Sequence, residues 1–333
     1  MTGPDSGYRR AGPPVPLALL LALTGGVLSG LQTRVNGALG DRIGSSLDAA
    51  LLSFAGGLLL AVLVAVLRPG TRAVLRPATR AHRLPGWAYL AGLGGAVLIA
   101  VGAAAGPVIG VALFTVGMVA GQTAGGLLVD RAGLGAGGQR RLSAARLAGA
   151  GLAVLAVGVV RLGAGGSATP GDRVLALLLL SVAGGTAIAG QQAVVGRLQA
   201  VTGDPTLVVT VNFLVGTAAL TVVVGLAQVA GADWPRHWPS TPWVYLGGPV
   251  GIGVVGTIAL ALPALGVLRA GLVIVAGQLA GGVVLDLLQP ARAVRVGPAT
   301  VVGVLLTFVA VAITEAGARR RTPTDRPAAT VER

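Results

Sequence analysis

Residues 87–130 and 243–286 carry one text twice. At a constant offset of 156 positions, about 18 of the 44 residues are identical without a gap, which is the mark of an internal duplication. WAYLAGLGG returns as WVYLGGPVG, and VAGQTAGG returns as VAGQLAGG; Pro107, Gly110 and Val111 return as Pro263, Gly266 and Val267, and Asp130 as Asp286. The start of the unit repeats at an offset of 159, where Gly25, Gly26, Gln32, Gly44, Phe54 and Gly57 recur as Gly184, Gly185, Gln191, Gly203, Phe213 and Gly216. Whatever this chain folds into must be built from two copies of one unit.

The solvent of that unit is lipid. Hydrophobic residues make up 54% of the chain and charged residues only 11%, against about 25% charged in soluble domains. Windows of about 20 apolar residues fall near 16–38, 47–67, 86–105, 108–129 and 143–162, then near 174–197, 206–228, 243–262, 264–285 and 297–316. The fold expected is therefore an all-α polytopic membrane protein of ten transmembrane helices. Its parts are a cytoplasmic lead (1–15), a first five-helix repeat (16–162), a linker (163–173), a second repeat (174–316) and a cytoplasmic tail (317–333). The opening, with Arg9 and Arg10 before an apolar run, resembles a signal peptide. However, the run has no small-residue cleavage pattern and its copy lies in mid-chain, so it is read as the first span. The 55 glycines suit close helix contact in a membrane, and Trp87, Tyr89, Trp243 and Tyr245 stand where interfacial anchors would.

Five spans per copy force the second copy upside down, and the arginines test that. The formal charge of +14 would suggest nucleic acid in a soluble protein, but the basic residues are all arginine and cluster between apolar runs. With the N-terminus inside, only Arg34, Arg42, Arg161, Arg173, Arg236, Arg292 and Arg295 fall outside, leaving 18 of 25 in cytoplasmic segments, as the positive-inside rule requires. Arg68, Arg72, Arg76, Arg80 and Arg83 crowd one loop, whereas its copy holds only Arg236. The expectation is a pair of inverted-topology repeats in the plasma membrane with both termini cytoplasmic.

At this point a family resemblance can be stated. Gln32, Asn36, Gly44-Ser45 and Ser53-Phe54 leading into Gly56-Gly57, followed by GQxxGG and an Asp closing the fourth span, resemble the YdcZ-like branch of the drug/metabolite transporter superfamily, here as two fused copies. The resemblance implies ten spans in two inverted repeats and the export or exchange of small metabolites. Small multidrug members carry an essential Glu in the first span, where this chain has Gln32 and Arg34.

Candidate substrate-binding residues are the polar side chains inside spans. Gln32 and Asn36, four apart, share a helix face; Gln191 repeats Gln32, while Asn36 becomes Val195. Gln122 and Gln278 stand in glycine stripes, and Ser53 pairs with its copy Asn212. Such groups either line a path or bond between helices. Asp130 and Asp286 are the carboxylates that repeat; they are candidates for ion coupling, or else cap and pair locally with Arg131 or Arg292. Pro107 and Pro263 are expected to end helices and force tight reversals. Arg34 either snorkels outward or meets an anion.

No Cys, no GxSxG, no P-loop and no HExxH are present, and His82 and His237 fall in loops, so no enzyme activity, metal or other cofactor is expected. The function expected is secondary transport, in the exporting direction, of a small metabolite or drug. Its partners would be the bilayer and that solute, with no nucleic acid and with a homodimer left open. A non-transporting membrane scaffold or assembly factor is the rival, and an intramembrane lipid-modifying enzyme ranks last for want of a buried acid or His pair.

Overall fold

A computed structural model describes residues 12–68, 86, 90–136, 138–140, 142–162, 171–235, 237–288 and 298–319. The side chains of some helical residues, Pro107 and Asp286 among them, lie outside that description, as do Trp87, Tyr89, Arg236 and Arg292. Among the described residues the elements are helical: α1 (Val15–Ile43), α2 (Ser46–Leu67), α3 (Leu93–Ala132), α4 (Ala144–Leu162), α5 (Gly171–Thr202), α6 (Pro205–Val229), a single 3-10 turn (Pro242–Tyr245), α7 (Gly247–Leu265), α8 (Val267–Leu288) and α9 (Pro298–Arg319). Five stretches, α1, α2, most of α5, α6 and the turn with α7, are long and apolar enough to cross a bilayer.

The hairpins come from local chemistry. α1 ends at Gly44, whose φ of 76° is the left-handed conformation that glycine adopts without a Cβ penalty. Ser45 then caps α2, its side-chain oxygen accepting the Asp48 N–H at 3.2 Å. The second copy repeats the device with different letters: Gly203 has φ 63°, and Asp204 caps α6 by accepting the Thr206 N–H at 2.8 Å. Several hydroxyls inside the helices are satisfied within their own turn. Thr123, Ser181, Thr257 and Thr314, for example, donate to the carbonyl four residues back, as a medium without water demands.

The two expected spans at 86–105 and 108–129 fall within one helical element, α3. In the second copy, by contrast, Gly266 (φ 75°) separates α7 from α8. Yet α3 doubles back. In a straight helix residues 101 and 118 would stand about 25 Å apart, whereas both Val101 and Met118 pack on Gly184 of α5, and the Phe114 ring lies against Gly102. Gly94 faces Ala187 and Gln191 while Gly125 faces Thr186 and Ala189. The first part of α3 thus runs antiparallel to α5 and the second part parallel to it.

The two copies are interlocked. Gly26 of α1 abuts the backbone of Ile274 and Gln278, and its copy Gly185 abuts the backbone of Met118 and Gln122, the copies of those two residues. At the centre Gly57 lies on the Phe213 ring and Gly216 on the Phe54 ring, and the two rings themselves meet at 5.3 Å between centroids. α2 and its copy α6 cross antiparallel, since Arg68 at the end of α2 donates to Thr206 at the start of α6 (2.9 Å). α4 and α9 do the same, with Gly149 against Ala310 and Thr314, and Gly317 against Ala145. Large apolar side chains such as Leu59, Leu226 and Val229 point outward, where lipid would meet them.

These contacts set a test of packing. A methyl group on Gly121 would lie 2.7 Å from the Val182 carbonyl carbon and 2.9 Å from its Cα, whereas one on Gly190 would meet nothing within 4 Å. Gly121→Ala is expected to destabilise the protein by about 1–3 kcal/mol through overpacking against backbone. Gly190→Ala should be neutral or stabilise by up to about 1 kcal/mol through helix propensity. Thermal melts of the two variants in one detergent decide it; equal melting temperatures would show that the α3–α5 contact is looser than described.

Candidate functional site: a carboxamide-lined cavity between the two copies

A cavity of about 520 Å³ opens between α1, α2, α3, α5, α6, α7 and α8, a size suited to a small organic molecule. α4 and α9 contribute none of its described wall. Polar, aromatic and aliphatic groups share that wall, and none of its described residues is charged.

The wall gathers most of the residues singled out in the sequence. Gln32 and Asn36 project from α1 one turn apart, and Gln122 and its copy Gln278 enter from α3 and α8. Gln191 of α5 donates through Nε2 to Asn212 Oδ1 of α6 at 2.8 Å, and both line the space. Gln278 donates to Ser29 Oγ at 2.7 Å. Its copy Gln122 has Ile188 where Gln278 has Ser29, and makes no hydrogen bond among the described residues. The same holds for Gln32, whose amide lies over Gly251 and the edge of Phe213.

Ser53 is the exception. It is 4% exposed and sits behind the wall, where it and Asn36 converge on Gly247; a methyl group on that glycine would come within 2.6 Å of Ser53 Oγ. Its copy Asn212, also buried, does reach the cavity.

Three acceptors around the cavity are buried and unpartnered: Asn36 Oδ1, Gln191 Oε1 and Gln192 Oε1. A buried acceptor without a donor costs free energy, so a cluster of them marks a surface made for another molecule. Gln192 is the residue that spacing arguments undervalued, because it has Thr33 rather than a glutamine as its copy. The signal was nevertheless present, as two adjacent carboxamides interrupt the apolar run from Ala187 to Gly196. Phe54, Phe213, Phe114 and Met118 join aliphatic side chains such as Ile99, Val255 and Ile258 in the apolar part of the wall.

Asp130 lies elsewhere. It is 1% exposed, pairs with Arg146 of α4, and accepts the backbone N–H groups of Val267 (2.9 Å) and Leu268 (3.3 Å) at the start of α8. An anion is favoured there, because those N–H groups have no partner within the helix and carry its positive end. The expected local partner Arg131 is replaced by Arg146; Arg131 is exposed. Nearby, Arg140 N–H donates to Asp130 O (2.7 Å) and its guanidinium reaches Ala264 O (3.3 Å), so the end of α3 is clamped to the α7–α8 junction. The Asp286 side chain lies outside the described residues. Arg34 is not among the described wall residues, and Arg42 sits 5.2 Å over the Trp243 ring, a cation–π contact at the end of α1.

Comparison with known proteins agrees with this architecture. A family model described as "Putative inner membrane exporter, YdcZ" matches twice, over residues 17–160 and 176–313. One solved crystal structure of a protein is similar over 93% of this chain and 100% of its own, with a TM-score of 0.66 and 22% identity, a likeness of fold. No curated protein matches. The two matched segments cover most of the chain, which therefore belongs to the YdcZ family of membrane exporters and carries the family's unit twice.

Proposed function

We propose that this protein is a secondary active transporter that exports a small metabolite or drug across the plasma membrane by alternating access between two inverted five-span repeats. The observation that carries the reading is the cavity, a solute-sized space whose carboxamides come in copy-related pairs, Gln32 with Gln191 and Gln122 with Gln278, one of each from either half. Ten spans follow if α3 and its doubling back supply two, as α7 and α8 do. The antiparallel crossing of α2 with α6 and of α4 with α9 supports the inversion, since copies related by an axis in the membrane plane run in opposite directions. The repeats then occupy 16–162 and 174–316.

With both termini cytoplasmic, the cavity reaches outward to Ser46 at the α1–α2 turn. On the other side Leu262, Leu265 and Leu268 are 1% exposed or less, and the Asp130 clamp stands beside them. This conformer would be open to the outside, and rocking one half against the other would reverse it. Asp130 serves in this reading as a positioning residue at the closed end, while Gln32, Asn36, Gln122, Gln191, Gln278 and Asn212 touch the solute.

The chain has no cysteine, so single cysteines report access cleanly. In intact cells Ser46→Cys should react with a membrane-impermeant maleimide and Leu265→Cys should not. The reverse pattern would overturn the orientation. Export itself is tested by comparing the metabolites released by overexpressing and deletion strains; Gln122→Leu, inserted normally, should release no more than the deletion strain, and full export by that variant would reject the cavity as the path.

A further inference from the structure

Resting on the reading of the cavity as a solute site, we propose that its solute is an uncharged molecule rich in hydroxyl or amide groups, and that ions of either sign are excluded. No described wall residue carries a charge, and an ion taken from water into such a space without a counter-charge loses most of its solvation. What the wall offers is dipoles of both signs side by side. A methyl group on Gly271 would lie 3.7 Å from Gln122 Nε2 and 3.8 Å from Gln192 Oε1, so a free donor from one copy and an unpartnered acceptor from the other face the same small region. Gln192 is more than nine-tenths buried and its oxygen has no partner.

A hydroxyl or a primary amide gives and takes a hydrogen bond at once, and so satisfies both groups. A cation would satisfy the oxygen but face the N–H dipole, and an anion would do the opposite. The rings of Phe54 and Phe213, which also line the space, call for an apolar face beside its polar edge. A solute of this kind crosses without moving charge of its own.

The probe is the low-molecular-weight extract of the expressing cell, split on ion-exchange resin into uncharged, cationic and anionic pools and added separately to the purified full-length protein. The uncharged pool should raise the melting temperature by about 5 °C when its active component is well above its Kd, and the charged pools should not. Gln192→Glu, assayed at a pH high enough to ionise a buried carboxyl, places a negative charge beside the Gln122 amide and should abolish that rise and create one with the cationic pool. Protection of the wild-type protein by a charged pool overturns the proposed class but leaves the cavity a solute site. Failure of all three pools to protect overturns both the class and the transport reading beneath it. A variant still protected by the uncharged pool and not by the cationic one would show that Gln192 does not select for charge, against the proposal.

Discussion

Asp130→Ala is expected to lower the stability of the folded protein by about 3–5 kcal/mol, the range for breaking a buried ion pair by removing one partner. Three contacts vanish together: the pair with Arg146 and the bonds from the Val267 and Leu268 N–H groups. Arg146, itself only 8% exposed, keeps its charge but loses this carboxylate, and the first turn of α8 loses its cap. Arg131→Ala, one residue away but exposed, should change stability by no more than about 0.5 kcal/mol. The charge swap Asp130→Arg with Arg146→Asp should fail to rescue, because it restores the ion pair but sets a cation against a helix N-terminus. Thermal or denaturant unfolding in a fixed detergent measures all three. A wild-type melt for Asp130→Ala would show that the clamp contributes nothing, and rescue by the swap would show that the pair matters and the helix end does not.

Gln32→Leu and Gln191→Leu should each abolish transport, yet differ in stability. Gln32 makes no hydrogen bond among the described residues, so its loss removes solute contact and leaves the melt near wild type. Gln191 donates to Asn212, which is 2% exposed, and its replacement strands that oxygen at a cost of about 1–3 kcal/mol. Adding Asn212→Leu to Gln191→Leu should recover part of that loss without restoring transport, the non-additivity expected of a bonded pair. In vesicles of known orientation Gln32→Leu should chiefly weaken access from outside and Gln191→Leu from inside. Full transport by the Gln32→Leu, Gln191→Leu double variant would return both residues to the role of glue between helices.

The duplication, the helical class and the apolar solvent were legible in the letters, and so was the membership of Gln32, Gln122, Gln191 and Gln278 in one polar set. Their convergence on one cavity was not, because each helix is apolar on nearly every face. A pattern of that kind leaves rotation about the helix axis open. Rotation is set where Gly26 meets Ile274 and Gly185 meets Met118, contacts between residues some 250 and 70 positions apart in sequence that close backbone approach selects. A reversal was expected at Pro107; the structure shows one between Gly102 and Phe114, in the contact of the Phe114 ring with Gly102 and in which residues of α5 the two ends of α3 touch.

What the sequence determined by itself is local or repeated: two copies of one unit, and hairpins closed by Gly44 with Ser45 and by Gly203 with Asp204, since a left-handed glycine and a capping oxygen act within a few residues of chain. Only the tertiary structure decided which arginine meets Asp130 and which polar side chains are left without partners. Adjacency in sequence favoured Arg131, but consecutive residues on a helix point about 100° apart, so the carboxylate turned inward to Arg146 and the first turn of α8 while its neighbour faced out.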